Sequence, residues 1–305
     1  MELIKSPSQI RISHKRKDWK KVILPWLLLS PTLLLLLLVV SGPLIGTLLL
    51  SMTNWDGIRS PDFIGIDNFI ELIQDKTFYA ALMNNLKWTI FFLTIPVVMG
   101  LSAAMWVSRI GRGQMVYRTL LFLPYIVSTV VTAKIWLGIY NPYFGINTLF
   151  EKLGMNALAK FWLGDIKLAL FSVALADTWH FWGFLVVIFL VALQQLDRSL
   201  EEAATVDGAN KVRVFWHIIL PQLRPTIVLV YMLLMIWSFA AFDYVFVMTQ
   251  GGPGNATELI ATYMYKLAIY SQDPGYASAI ALTMGIFSLI VIMGFGVVKK
   301  KGWDV

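Results

Sequence analysis

The chain contains no cysteine, which removes a disulfide framework, a thiolate nucleophile and any Cys-ligated metal. Histidine is scarce as well: His14, His180 and His217 are too scattered for a His-metal motif. Charge is thin, with Asp, Glu, Lys and Arg making up 14% of 305 residues against 58% hydrophobic, and the mean hydropathy is +0.69. That balance excludes an ordinary water-soluble domain. No G-x-x-x-x-G-K-[ST] loop is present, so the backbone amides and lysine that cradle nucleotide phosphates are missing and the chain carries no ATP motor of its own. The formal charge of +7 does not point to nucleic acid, because no soluble basic face interleaved with aromatics accompanies it.

What the sequence does have is long apolar runs. A spanning helix needs about 20 mainly apolar residues, and six such runs cover roughly 22–52, 84–107, 117–140, 168–193, 226–248 and 276–298. The first follows a basic start, but LLLLLLVV lies in too long a run for a signal peptide and no small-residue cleavage site follows, so it reads as an uncleaved anchor. Lys and Arg retained on cytoplasmic flanks set the orientation. Seven lie in the N-terminal tail, three in the 108–118 loop, four in 194–224 and three after 298, against six in the alternate loops. The expectation is an all-α membrane protein of six transmembrane helices with both termini cytoplasmic. Its parts are a basic tail (1–21), a membrane domain (22–298) that includes the cytoplasmic loop 194–224, and a short tail (299–305). Trp26, Trp55, Trp88, Trp106, Trp136 and Trp162 fall near predicted span ends, as interfacial anchors would.

One cytoplasmic stretch stands apart, EEAATVDGANKVRVFWHIILPQL at 201–223. Leu196, Leu200, Ala203 and Ala204 share a helical face, Gly208 suits a left-handed helix end, and Asn210 is a good N-cap. Val212, Phe215, Trp216 and Ile219 then fall at i, i+3, i+4, i+7, and Pro221 and Pro225 close the second helix. The pattern predicts a helical elbow, and it fits either a docking surface for another protein or a linker lying on lipid headgroups.

The residues themselves carry a resemblance. EAA at 202–204, Gly208, and Leu220-Pro221 after Ile218 resemble the signature of permease subunits of binding-protein-dependent ABC importers. IGIDNFIELIQDKTFYAALMNN (64–85), RTLLFLPYIVSTVVTAKIW (118–136), DTWHFWGF (177–184) and VMTQGGPGNATELIATYMYKLAIY (247–270) resemble the sugar-uptake branch, the maltose and glycerol-3-phosphate type. The resemblance implies the type I importer permease architecture in a bacterial cytoplasmic (inner) membrane. It implies a second permease as heterodimer partner, a cytoplasmic ATPase dimer that holds ATP and Mg, and an external solute-binding protein met near 251–257. Glu202, Ala203, Ala204 and Gly208 match the coupling helix that docks on the ATPase. The sequence departs from the pattern at Asp197-Arg198, where such permeases often show Ile-Pro-Lys.

Ionisable groups within a bilayer are functional suspects. Beyond the flanks these are Lys87, Lys134, Asp177 and Asp243, with His180 beside them. Lys87 is placed to snorkel. Lys134 and Asp243 fall at similar depth and Asp177 and His180 lie one turn apart, so two internal pairs are one reading of them. The other reading starts from their company: Trp179 and Trp182 flank His180, and Trp237, Ser238, Phe242 and Tyr244 surround Asp243. Aromatic faces for sugar C–H surfaces, with carboxylates and hydroxyls for sugar hydroxyls, suit a neutral sugar, oligosaccharide or polyol. No arginine lies in the spans to grip a phosphate, which weighs against glycerol-3-phosphate. The competing class is a self-sufficient secondary transporter using Asp177 and His180 for ion coupling, for which inverted repeats would argue, and none is evident. An intramembrane enzyme lacks its catalytic constellation.

Overall fold

The computed structural model describes residues 19–300, so most of the basic tail expected over 1–21 and of the tail expected over 299–305 lies outside the described residues. The chain divides into two compact units, one ending at Thr47 and one beginning at Leu48. In the first, α1 (Trp19–Leu36) runs into a π turn at Leu37–Ser41 and then α2 (Gly42–Leu50). Its leucines are exposed throughout, which suits a helix surrounded by hydrocarbon.

The second unit is also helical. Four helical stretches among the described residues are long and apolar enough to cross a membrane: Ile23–Leu50, Lys76–Ser108, Ala169–Gln194 and Pro274–Gly296. Two further pairs pass only when joined, Gln114–Ile126 with Thr129–Ile139, bent by 93°, and Lys211–Gln222 with Arg224–Phe239, bent by 68°. Counting each bent pair as one span reaches six. The breaks are where structure departs from the expected runs. The run 117–140 is split at Val127-Ser128, both extended, into α5 and α6 when the helices are numbered in chain order: α3 (Asp67–Gln74), α4 (Lys76–Ser108), α5 (Gln114–Ile126), α6 (Thr129–Ile139) and α7 (Ile146–Lys152). The run 226–248 is likewise interrupted after Phe239. There α8 (Ala169–Gln194), α9 (Arg198–Val206), α10 (Lys211–Val214), α11 (Leu220–Gln222) and α12 (Arg224–Phe239) are followed by a separate short helix, α13 (Asp243–Met248). Finally come α14 (Ile260–Ile269) and α15 (Pro274–Lys300). Pro124 in the last turn of α5 has no amide for the Leu120 carbonyl, which weakens the helix close to that break.

Small residues let the central helices approach. A Cβ on Gly100 of α4 would sit 2.7 Å from Leu185 Cβ of α8, and one on Gly183 would collide with the Leu121 carbonyl oxygen of α5. Close backbone approach of this kind is how helices associate where lipid offers no hydrophobic drive. Around these contacts Trp88, Phe92, Phe181, Leu185, Phe189 and Leu234 form the buried core. Trp88 is therefore not the interfacial anchor expected: it is 2% exposed and stacks on Phe92 at 5.1 Å, because its position on α4 faces inward.

At one end of α4, Asp75 ties three helices. Its Oδ1 accepts from the amides of Thr77 (2.7 Å) and Phe78 (3.2 Å), capping the helix, and Oδ2 accepts from the hydroxyls of Tyr263 (2.6 Å) and Tyr276 (2.8 Å). Burial pushes its carboxyl up, but the two hydroxyls and two amides outweigh this and hold it below the usual carboxylate range. A folded-state value below the unfolded one contributes stability that is complete above the unfolded value, about 3.9, and is lost as pH falls through the folded value. Asp75→Ala is expected to cost about 2–3 kcal/mol for the cap and the tyrosine bonds. In detergent, the melting temperature of the wild type should drop more steeply below about pH 4 than that of the variant.

Candidate functional site

Two regions carry the residues singled out in sequence. The first is the elbow. Asp197 caps α9, accepting from the Ser199 amide at 2.9 Å, so the residue that departs from the importer pattern starts the helix itself. The helix ends on Gly208 at φ +83°, with the Ala209 amide reaching back to the Ala204 carbonyl at 2.9 Å, a left-handed terminus that glycine adopts without strain. Asn210 then caps α10, its Oδ1 accepting from the Arg213 amide at 2.8 Å.

Glu202, Ala203 and Gly208 are exposed and Ala204 is half-buried. Of the face expected of the second helix, Val212 and Trp216 are exposed, while Ile219 is buried with Val214 and Leu223 beside Ala192. A π turn at Phe215–Ile219 inserts an extra residue, so Ile219 is buried while Val212 and Trp216, one turn apart, share the exposed side.

The second region is a cavity of about 620 Å³ where both helix breaks meet α4 and α8. Val127, Ser128 and Thr129 from one break and Ala240–Asp243 from the other line it, with Trp88, Phe92, Phe181 and Trp237 as aromatic walls. Breaking a helix inside a membrane strands backbone groups that lipid cannot satisfy. Side chains on the straight helices satisfy them here. His180 Nε2 lies 3.0 Å from the Val127 carbonyl oxygen, and Asn85 Nδ2 donates to the Ser238 carbonyl at 2.9 Å. The other end of Asn85 accepts from the Ile260 amide at 2.8 Å, and Thr89 meets the Ser238 hydroxyl at 2.8 Å. Because a carbonyl only accepts, Nε2 of His180 carries its proton.

Of the residues expected to touch a solute, Asp177, His180, Trp237, Ser238, Phe242 and Asp243 all line this cavity. Trp179 and Trp182 do not. They line a separate apolar crevice of about 320 Å³ with Leu120, Leu123, Pro124 and Val127. The helix explains the division, since His180 and Phe181 share a face with Asp177 at i+3 and i+4, whereas i+2 and i+5 turn away. Neither expected internal pair is present. His180 is bonded to Val127, and Lys134, exposed on α6, makes no ion pair with Asp243, which instead lies 3.5 Å from the Thr129 hydroxyl.

Sequence reasoning confined to ionisable groups missed Asn85, Thr89 and the adjacent Asn84, whose amide donates to the Asn255 and Glu258 carbonyls at 3.1 Å. Two neighbouring asparagines inside an apolar run were the available signal. Also missed was Glu258, 1% exposed, which pairs with Lys266 and accepts from Thr262 at 2.7 Å beneath the glycine-rich 251–257 loop.

The family described as binding-protein-dependent transport system inner membrane component matches residues 96–301. A probable ABC transporter permease of Bacillus subtilis, YurN, is 35% identical to this chain, over 88% of this chain and 92% of that protein. The probable starch degradation products transport system permease AmyD of Thermoanaerobacterium thermosulfurigenes is 29% identical over 92% of this chain and 95% of that one. Among solved structures, a bacterial alginate ABC transporter in complex with its alginate pentasaccharide-bound periplasmic protein superposes with a TM-score of 0.83, covering 95% of this chain and 98% of that chain. At 22% identity that likeness is one of fold.

The separation of Lys134 from Asp243 is directly testable. In a double-mutant cycle of Lys134→Met and Asp243→Asn, the thermal stabilities should add, with a coupling below about 0.5 kcal/mol. Rescue of one substitution by the other would show a pair.

Proposed function

The chain belongs to the binding-protein-dependent transport system inner membrane component family, a transport component and not an enzyme, and from that premise we propose that it is one permease half of an ATP-driven carbohydrate importer. The observation that carries the reading is the cavity at the two helix breaks, with its aromatic walls and its Asp177, Ser238 and Asp243. Aromatic faces pack on the C–H surface of a sugar ring, and the oxygens take its hydroxyls. Among the described residues, no Lys or Arg lines the cavity to hold a phosphate or a carboxylate, so the cargo is a sugar, oligosaccharide or polyol without an anionic group. AmyD, which is named for starch degradation products, agrees with that class.

The elbow supplies the coupling. Exposed Leu200, Ala203 and Val206 present an apolar patch on α9 for a groove on a partner ATPase, which holds ATP and Mg. Motion there reaches the cavity along α8, whose 26 residues span about 39 Å at 1.5 Å each. That rod carries Asp177 and His180, and His180 holds the carbonyl of the α5–α6 break. Displacing α8 therefore repositions one wall of the cavity. A second permease encloses the other side of the pathway, and an external solute-binding protein delivers the cargo near Gly254 and Asn255, the exposed tip of the 251–257 loop. The chain crosses six times, the fifth span beginning at Arg224 after the cytoplasmic elbow, and the excess of Lys and Arg argues for both termini on the cytoplasmic side of a bacterial inner membrane.

Affinity purification of the tagged chain from its own membrane in mild detergent should recover a second permease and an ATPase. Gly208→Pro, which cannot adopt φ +83°, should leave the chain in the membrane yet lose ATPase association and ATP-dependent sugar uptake. Recovery of the chain alone, still active in liposomes without ATP, would overturn the reading.

A further inference from the structure

The cavity at the helix breaks contains acidic groups without a counter-charge. Asp177 and Asp243 both line it, and among the described residues its lining contains neither Lys nor Arg. Lys134 stays exposed and forms no ion pair with Asp243. The aromatic part of the same lining is independent of the carboxylates: Trp237 is exposed and Phe242 half-buried. His180, 6% exposed, has its Nε2 committed to Val127 and supplies no cationic partner to Asp177 in its neutral form.

Polar groups withdrawn from water require hydrogen bonds, and charged ones require an opposite charge. For the half-buried Asp177 the cavity's own residues leave the second requirement open. Its remaining walls are the π faces of Trp88, Phe92, Phe181, Trp237 and Phe242, which attract a cation as well as a sugar's C–H surface. What completes such a site is a solute that brings a positive charge, several hydroxyls and an apolar ring face together.

We propose that the cavity selects its cargo by charge, holding saccharides that bear a protonated amine more tightly than neutral ones and refusing those that bear a carboxylate. The proposal rests on the carbohydrate reading of the same cavity. The ammonium group donates to Asp177 and Asp243, and Trp237 packs on the ring. A uronate in the same pose places its carboxylate among two others with no donor of opposite charge. The fold shared with an importer of alginate, named in its description as an acidic polysaccharide, thus does not carry the same cargo with it.

The test uses the full chain, purified with its associated subunits in mild detergent, and tryptophan fluorescence, because Trp88 and Trp237 lie in the cavity wall. The probes are glucosamine, glucose and glucuronate near neutral pH, with methylammonium as an amine lacking the ring. Glucosamine should bind about tenfold tighter than glucose, the factor that corresponds to 1.4 kcal/mol, and glucuronate and methylammonium should bind more weakly than glucose. Asp177→Asn should reduce glucosamine to the level of glucose and improve glucuronate. Asp243→Asn, at an exposed position, should act in the same direction and serves if Asp177→Asn does not fold. Equal binding of the three sugars, or an unchanged order in both variants, would overturn charge selection and leave the carbohydrate reading standing. Methylammonium binding as tightly as glucosamine would overturn the saccharide part of the proposal. Silence from all four probes would overturn the carbohydrate reading, and the proposal with it.

Discussion

A helix broken inside hydrocarbon exposes backbone groups that must find partners within the protein, and the second unit is organised around meeting that demand twice. His180 answers the Val127 carbonyl at the first break and Asn85 the Ser238 carbonyl at the second. Both come from unbroken helices, α8 and α4, which pack on each other through Gly100 against Leu185. The straight pair acts as a brace, and the bent helices hang from it. Without that brace the polar backbone at each break would cost several kcal/mol per unsatisfied group.

The same arrangement makes a cavity. The first break turns the chain by 93°, and the residues of both breaks line a space walled by aromatic rings. Asn85 does more than satisfy one carbonyl, because its other end holds the Ile260 amide at the start of α14. Asn84 next to it holds the loop above. The wall of the cavity, the 251–257 loop and the α14 segment are therefore one hydrogen-bonded assembly. At the opposite end, α8 leads directly to Asp197 and the elbow. A change at either end has a short mechanical route to the cavity.

Much of this was legible in the sequence, and the failures have identifiable causes. The apolar runs gave away the long helices because a spanning helix must be apolar for about 20 residues. Gly208 and Asn210 marked the elbow because their roles are local, one a left-handed backbone and the other a side chain capping its own helix. Asp177, His180 and Asp243 stood out because charge in an apolar run is costly. What could not be read depended on rotation or register. The π turn at 215–219 set the buried Ile219 apart from the exposed Trp216, the face of α8 separated Trp179 and Trp182 from His180, and the inward side of α4 buried Trp88. Equal depth suggested that Lys134 would meet Asp243, but depth says nothing about the direction in which each side chain leaves its helix.

Since the chain has no cysteine of its own, single thiols can report directly on whether the break-lined cavity is a water-accessible pathway. The measurement is the reaction of Ala241→Cys, in the lining at the second break, with a charged, membrane-impermeant thiol reagent in the assembled, transporting protein. Ile90→Cys, on the exposed outer face of α4, is the comparison. A pathway requires Ala241→Cys to react and to be protected by transported sugar while Ile90→Cys stays inert. An Ala241→Cys that is unreactive in a protein still moving its cargo would contradict the account.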